Sequence, residues 1–335
     1  MEGTPHPGVL KCEMNFAQQV STTGGPEVLE WIPTTVNEPG SGEVVIDVHA
    51  AGVNFIDTYH RSGLYPMPLP FVPGSEGSGT VAGVGSDVAS VKVGDRVAWV
   101  GVAGSYATRI AAPASSLMAV PDGVSLDIAA ALPLQGMTAH YLVSDTYRLG
   151  TTDRCLINAA AGGTGRLMVQ MAKLAGAEVV ATVGSASKVE LARSAGADHV
   201  INYNEVEMVA GIEAAVGTDA IDVVYDGVGA ATFDAGLMVL RPRGTMVTFG
   251  NASGPVPPFS PLQLMAKSLY VTRPKLWDYI SSPGDRDARW TQLCDWVSAG
   301  QLDVRIGHTY AMSDAGQAHV ALESRATTGK LLLTA

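Results

Sequence analysis

The densest chemical signal in the chain is the run Cys155-Leu156-Ile157-Asn158-Ala159-Ala160-Ala161-Gly162-Gly163-Thr164-Gly165, followed by Arg166 and apolar residues at helical spacing, Leu167, Met171, Leu174 and Ala175. It reads as strand, tight glycine turn and helix. Such a turn lets the backbone approach a pyrophosphate, whose charge meets the free N–H groups and the positive dipole end of the helix. Against the dinucleotide fingerprint G-x-G-x-x-G, Ala160 takes the first glycine position while Gly162 and Gly165 hold the others. A variant glycine turn alone is as often an ordinary strand-to-helix connection, and the surrounding strand–helix alternation is what points to a nucleotide.

The next strand carries a second signal. An NAD-binding unit places an acidic residue about twenty positions on, where it bonds the ribose 2′-OH. Here that strand ends Thr182-Val183-Gly184-Ser185, with no carboxylate, and Lys188 falls in the first turn of the following helix. By default such a lysine is a solvated surface residue. With the acid missing as well, the pair of observations favours a 2′-phosphate, hence NADP over NAD.

Metal chemistry has little to build on. The three cysteines, Cys12, Cys155 and Cys294, lie far apart, and the seven histidines show no H-E-x-x-H or related spacing. Neither a metal pair nor an even disulfide framework results, which suits a reducing compartment. The net charge of −11 repels phosphate backbones, and no basic run offsets it, so nucleic acid is not expected as a partner. Charged residues make up 16% and apolar ones 47%, a composition that folds. No stretch suits a signal peptide or a membrane span, and the expected location is the cytoplasm.

Two rhythms divide the 335 residues. Residues 1–9 are expected to be a flexible leader. Up to about residue 125 short Val-rich runs alternate with glycine turns at Gly74, Gly77, Gly79, Gly83, Gly85 and Gly94, the pattern of a partly open antiparallel β-barrel with little helix. From about Asp127 strand-like and helix-like segments alternate, which implies βαβ units. Strands are expected at 155–159, 178–183, 199–201, 221–225, 245–249 and 269–272, six in a doubly wound sheet. A helix is expected around Trp290 to Ala299. The apolar run Leu331-Leu332-Leu333 suits a return to the first domain.

With these motifs in place, further segments sharpen the picture: Gly52 to Tyr59, Arg61 to Pro66, Ala159 to Gly165, Val224-Tyr225-Asp226, Phe249-Gly250-Asn251, Leu269 to Pro274 and Leu322 to Ala326. Together they resemble the zeta-crystallin-like NADPH:quinone oxidoreductases, the zinc-free branch of the medium-chain dehydrogenase/reductase superfamily. The resemblance implies an α/β protein with a GroES-like catalytic domain over 10–134 and 276–335 and an inserted, doubly wound Rossmann domain over 135–275. It implies NADPH as hydride donor and a quinone as acceptor. It places Gly162 and Gly163 at the pyrophosphate, with Thr164 next to them among the cofactor-binding candidates, and Gly184, Ser185, Lys188, Tyr203 and Arg325 around the 2′-phosphate. Asn54, Thr138, Phe249, Gly250 and Asn251 fall on the nicotinamide side. Asn54 and Tyr59 would act in catalysis by orienting or stabilising the reduced oxygen, with Tyr59 and Tyr65 facing the acceptor.

Thr164 stands where the family usually has valine, and its hydroxyl has two candidate partners, a backbone N–H or a cofactor oxygen. The zinc-containing relatives have a histidine where this chain has Ser75, so the expected protein is metal-free. An acceptor that needs no Lewis acid follows, and quinones meet that condition. Two other readings remain open: an enoyl-thioester or enone reductase on the same cofactor face, and an NADPH-holding protein with an RNA-binding or structural role. A homodimer is expected through the apolar edge strand Leu269–Thr272.

Overall fold

Residues 14–335 are described by the computed structural model; the expected leader at 1–9 and Cys12 lie outside the described residues. The described residues begin with a two-stranded antiparallel ribbon, β1 (Asn15–Val20) and β2 (Leu29–Thr34), stapled by stacked Phe16 and Trp31 rings. Next come β3 (Glu43–Val53), α1 (Phe55–Ser62), β4 (Glu76–Val84), β5 (Arg96–Val100), β6 (Arg109–Pro113) and β7 (Leu117–Ala119). Two short helices, α2 (Leu126–Ala131) and α3 (Pro133–Tyr141), lead into the second half.

There strands and helices alternate as expected. The order is β8 (Arg154–Ile157), α4 (Gly163–Leu174), β9 (Glu178–Val183), α5 (Ala186–Ser194), β10 (His199–Asn202), α6 (Met208–Val216), β11 (Ile221–Asp226), α7 (Phe233–Val239), β12 (Leu240–Thr248) and β13 (Tyr270–Thr272). The tail adds α8 (Leu276–Tyr279), α9 (Pro283–Ser298), β14 (Ile306–Ala311), α10 (Ala315–Glu323) and β15 (Lys330–Thr334).

The six strands of the second half form one parallel sheet in the order β10-β9-β8-β11-β12-β13. This is the dinucleotide-binding order: the chain adds β9 and β10 on one side of β8 and then β11, β12 and β13 on the other, and a crevice opens at the carboxyl ends between β8 and β11. Val179, Val180, Leu156, Ile157, Val223 and Val224 are buried on both faces of that sheet, as strands covered by helices on either side must be.

The other sheet joins both chain ends. Its order is β14-β15-β3-β4-β5-β7, with β6 also on β3, and β15 pairs antiparallel with β3 so that Leu332 sits opposite Gly52. The apolar run at 331–333 therefore does return to the first half. The glycines of β4 let that sheet curve tightly: a Cβ on Gly79 would lie 2.2 Å from the Asp47 carbonyl oxygen. Met118, Val120, Met137, Tyr141, Trp290 and Leu293 belong to one continuous core that runs from the curved sheet into the parallel one.

Three elements differ from the sequence-based expectation. Helix α1 appears where little helix was expected, because the residues it buries are Asp57, Thr58 and Arg61, so it shows no apolar stripe. Strand β12 begins at Leu240 instead of Thr245; a bulge opposite Ile221–Val223 absorbs the Pro242–Gly244 segment, with Arg243 at φ 65°. Helix α9 starts seven residues ahead of Trp290, at Pro283, because Ser282 caps it by accepting from the Asp285 N–H at 3.1 Å.

If β15 is integral to the core, Leu332→Ala should lower the unfolding free energy by about 2–5 kcal/mol in urea denaturation, since Leu332 is fully buried. Val320→Ala on the exposed side of α10, 57% accessible, should change it by less than about 0.5 kcal/mol. Equal effects would contradict the packing described.

Candidate active site

The glycine turn sits at the crevice between the two sheets. After β8, Asn158 turns inward, where it accepts from the Thr182 hydroxyl at 2.7 Å and donates to the Asp226 carboxylate at 3.2 Å, tying together the ends of β8, β9 and β11. Ala159 then adopts φ 53°, unusual for a residue with a side chain, and Gly162 caps α4. Gly165 must be glycine for packing: its Cβ would lie 2.4 Å from the Ala159 carbonyl oxygen. Gly163 is pressed against Gln135 of α3, whose Oε1 would be 2.0 Å from an added Cβ. The first-turn N–H groups of α4 at residues 163–165 have no carbonyl of their own helix to bond, as at any helix start.

A cavity of about 590 Å³ runs from this turn across the carboxyl ends of the parallel sheet and under the curved one. Of the site residues expected from the sequence, Asn54, Gly162, Gly163, Thr164, Gly184, Ser185, Lys188, Tyr203, Phe249 and Arg325 line it. Thr138, Gly250, Asn251, Tyr59 and Tyr65 do not form its wall. Thr138 lies on α3 one turn beyond Gln135, which takes the wall position. Gly250 backs the wall, packed so closely on Gly227 that a Cβ would meet its carbonyl oxygen at 2.4 Å. The Thr164 hydroxyl makes no hydrogen bond among the described residues, and the N-cap of α4 is Gly162.

At one end of the cavity two cations converge. Lys188 Nζ donates to the Arg325 carbonyl oxygen at 2.5 Å, and Arg325 holds φ 59° at the end of α10, its side chain in no ion pair among the described residues. Burial, together with the Arg325 charge, holds the Lys188 ammonium below the usual lysine range. A partly buried lysine beside an exposed arginine, with no carboxylate paired to either among the described residues, is a place for an anion. Tyr203 lies over Gly184, and Asn204, which the sequence reading missed, donates to the Gly184 carbonyl at 2.5 Å.

At the other end Asn54, Phe55 and Phe249 form the wall. Asn54 is fixed by charge: Lys330 Nζ donates to its Oδ1 at 2.7 Å, and its Nδ2 donates to Glu76 Oε1 at 2.7 Å and to the Gly52 carbonyl at 3.3 Å. Lys330 and Glu76 form an ion pair, 1% and 0% exposed. The free Oε2 of Glu76 accepts from the Leu134 N–H at 2.7 Å. A polar chain continues inward, with the Asp57 carboxylate accepting from the Asn54 N–H and from Tyr106, whose hydroxyl also meets His319 Nε2 at 3.2 Å. His319 Nδ1 meets Arg61, which reaches Glu323 at 2.7 Å.

Beside this end lies a second cluster that bridges the two sheets. Tyr59 OH accepts from the Asn251 N–H at 3.0 Å, Asn251 Nδ2 donates to Tyr65 OH at 3.2 Å, and Arg273 donates to Asn251 Oδ1 at 3.1 Å and to the Gly250 carbonyl. The Tyr59 and Tyr65 rings pack edge to face, 5.2 Å apart. Burial pushes the Tyr59 phenol up to about 12, against the opposing Asn251 bond, so it stays protonated. Arg273 is a functional candidate the sequence reading did not single out.

The residues present do not suit a zinc ion. Among the described residues no three His, Cys, Asp or Glu side chains converge, the Ser75 hydroxyl is buried without a partner, and the neighbouring Glu76 carboxylate is already neutralised by an ammonium.

A doubly wound dinucleotide crevice closed over by a curved β-sheet domain defines the medium-chain dehydrogenase/reductase superfamily. The chain matches the family models for a zinc-binding dehydrogenase over residues 163–298 and for an alcohol dehydrogenase GroES-like domain over residues 40–122. It is 43% identical over 315 residues to a quinone oxidoreductase of Salmonella typhimurium, covering 92% of this chain and 96% of that one. It is 38% identical over 330 residues to a 2-haloacrylate reductase of Burkholderia, covering 96% and 99%. Among solved structures, the Escherichia coli quinone oxidoreductase complexed with NADPH superposes with a TM-score of 0.93 at 40% identity, covering 96% of this chain and all of that one. A mycobacterial protein complexed with NADPH gives 0.91 at 43%, with the same coverage. The chain belongs to the quinone oxidoreductase family.

The inner polar chain carries a pH signature. Burial raises Asp57 from 3.8 to about 7, so the folded state takes up its proton more readily and stability falls as pH rises from about 4 to 7. Burial, with Arg61, lowers His319 from 6.5 to about 3, so here the unfolded state holds the proton and stability rises with pH from about 3 to 6.5. The two contributions oppose each other in the native protein. Relative to it, Asp57→Asn should gain melting temperature between about pH 4.5 and pH 6.5, and His319→Gln should lose it; parallel curves for all three proteins would contradict the assignment.

Proposed function

We propose that the protein reduces quinones with NADPH. The observation that carries this reading is the cavity itself, with unpaired Lys188 and Arg325 at one end, a helix N-terminus in the middle and the protonated Tyr59 cluster beside the other. Bound there, NADPH supplies a hydride to the acceptor. Lys188 and Arg325 hold the 2′-phosphate, with Ser185 and Tyr203 beside them, and the α4 N–H groups hold the pyrophosphate. Gln135, Asn54 and Phe249 border the nicotinamide half. Tyr59 takes a bond from Asn251 and retains its own hydroxyl hydrogen, which is offered to the acceptor oxygen. Tyr65 and Arg273 hold Asn251 in place for that purpose.

No strong general acid is required, because a hydroquinone anion collects its proton from water. The identity to a 2-haloacrylate reductase supports a second reading, in which a conjugated carbonyl replaces the quinone at the same face. An RNA-binding role is disfavoured by the charge of −11. The free, buried thiols of Cys155 and Cys294 suit the cytoplasm, and no helix among the described residues is long and apolar enough to cross a membrane. We take the catalytic domain as 10–134 with 276–335 and the cofactor domain as 135–275.

A homodimer is part of the same reading. β13 is the outer strand of the parallel sheet, and Tyr270 on it, with Leu262 and Met265 just before it, is exposed. An apolar strand edge invites pairing with its twin. Light scattering at micromolar concentration should give the dimer mass; the monomer mass would refute this part.

Purified protein should oxidise NADPH with small para-quinones and leave simple alcohols untouched with NADP. Lys188→Ala should weaken NADPH binding about ten- to a hundredfold while leaving NADH nearly unchanged, the loss expected for one charge-assisted bond. Equal losses for both cofactors, or reduction of a 2-enoyl thioester or haloacrylate with no quinone reduced, would replace this reading.

A further inference from the structure

We infer that Lys330 and Glu76 act as a polarity lock that makes Asn54 a hydrogen-bond acceptor only, so that Asn54 holds a donor group of the nicotinamide half of the cofactor and gives no N–H to the acceptor oxygen. The inference rests on NADPH occupying the cavity as proposed above. An amide side chain offers two hydrogens and two lone pairs. Both Asn54 hydrogens are taken, by Glu76 Oε1 at 2.7 Å and the Gly52 carbonyl at 3.3 Å, and one lone pair is taken by Lys330 at 2.7 Å. What Asn54 retains for the cavity it lines is a single lone pair on Oδ1.

The amide cannot turn over to reverse this. An ammonium has donors and no acceptor, and a carboxylate has acceptors and no donor, so a flipped Asn54 would set N–H against N–H and oxygen against oxygen. Water cannot relieve the mismatch, since Lys330 and Glu76 have almost no exposure. The backbone is shaped around the pair: a Cβ on Gly52 would lie 2.4 Å from Glu76 Oε1 and 2.7 Å from Lys330 Cε. The Leu134 N–H fixes the other carboxylate oxygen from the start of α3. Lys330 and Glu76 are thus positioning residues that act through Asn54.

The complementary donors on the nicotinamide half are its carboxamide N–H and its ribose hydroxyls. Stabilisation of the reduced oxygen falls to the Tyr59 cluster, where the Tyr59 hydroxyl still has a hydrogen to give.

The test exchanges the two polarities. In the double variant Asn54→Asp/Glu76→Gln total charge is unchanged; a glutamine amide turned to donate to the new carboxylate gives up the bond that Glu76 Oε1 takes from Lys330, which keeps the new carboxylate as its partner. No side-chain N–H remains at position 54. Asn54→Asp alone sets two carboxylates together and should lose NADPH affinity about tenfold or more; the double variant, which removes that repulsion but does not restore every lost bond, should recover part of the loss. Binding of 2′,5′-ADP, which lacks the nicotinamide half, should be the same in all variants and reports the adenosine end separately. Failure of 2′,5′-ADP to bind the native protein would instead overturn the NADPH reading itself.

Asn54→Ala leaves Lys330 and Glu76 paired with each other and gives an answer whether or not the exchange folds. It should weaken NADPH about three- to tenfold, one neutral hydrogen bond, with the quinone KM unchanged at saturating NADPH. Loss confined to quinone KM or kcat, with NADPH affinity intact, would overturn the inference, as would a folded double variant no better than Asn54→Asp.

Discussion

The ion pair between Lys330 and Glu76 is the constraint on which the site depends. Two charges with almost no exposure persist only if their remaining hydrogen-bonding groups are met, and removing one partner of such a pair typically costs about 3–5 kcal/mol. Meeting them recruits parts of the chain that are distant in sequence: Asn54 after β3, Glu76 on β4, the Leu134 N–H at the head of α3 and Lys330 on the returning β15. The pair therefore forms only when both ends of the chain have entered the curved sheet.

The same strand reaches the cofactor turn. Gly329, immediately before Lys330, donates to the Ala161 carbonyl at 3.2 Å and bridges Gly162. Arg325 and Lys330 flank this contact, so a short stretch of the C-terminal segment supplies a cation to one end of the cavity, a backbone contact to the glycine turn and the ammonium that holds Asn54 at the other end. One segment thereby ties both ends of the cavity to the glycine turn between them. Precise spacing is what hydride transfer requires, because the chemistry belongs to the cofactor and the protein contributes orientation.

Much of this was legible in the sequence, and what was not has a physical reason. The βαβ rhythm, the glycine turn and the missing acid after β9 are local patterns, and β9 was bounded correctly because a doubly covered parallel strand is apolar along its length. Lys188 was visible because it lies in the first turn after that strand; Arg325 was reached only through the family resemblance, since its place beside Lys188 is made by tertiary folding. Gln135, Asn204 and Arg273 gave no signal for the same reason. Helix α1 escaped because it buries Asp57 and Arg61, and a polar buried face has no hydrophobic period. Glu76 and Lys330 read as ordinary charges, and nothing in their spacing announces a pair 254 positions apart.

The account comes down to how a dinucleotide lies across the two sheets. A crystal structure of the NADPH complex tests this most directly. The account requires the 2′-phosphate within hydrogen-bonding distance of Lys188 Nζ and the Arg325 guanidinium, the pyrophosphate on the α4 N–H groups, and a nicotinamide-half donor on Asn54 Oδ1 with the Asn54–Glu76–Lys330 bonds unbroken. A 2′-phosphate turned to solvent, or an Asn54 amide rotated to present Nδ2 to the cofactor or acceptor, would contradict it.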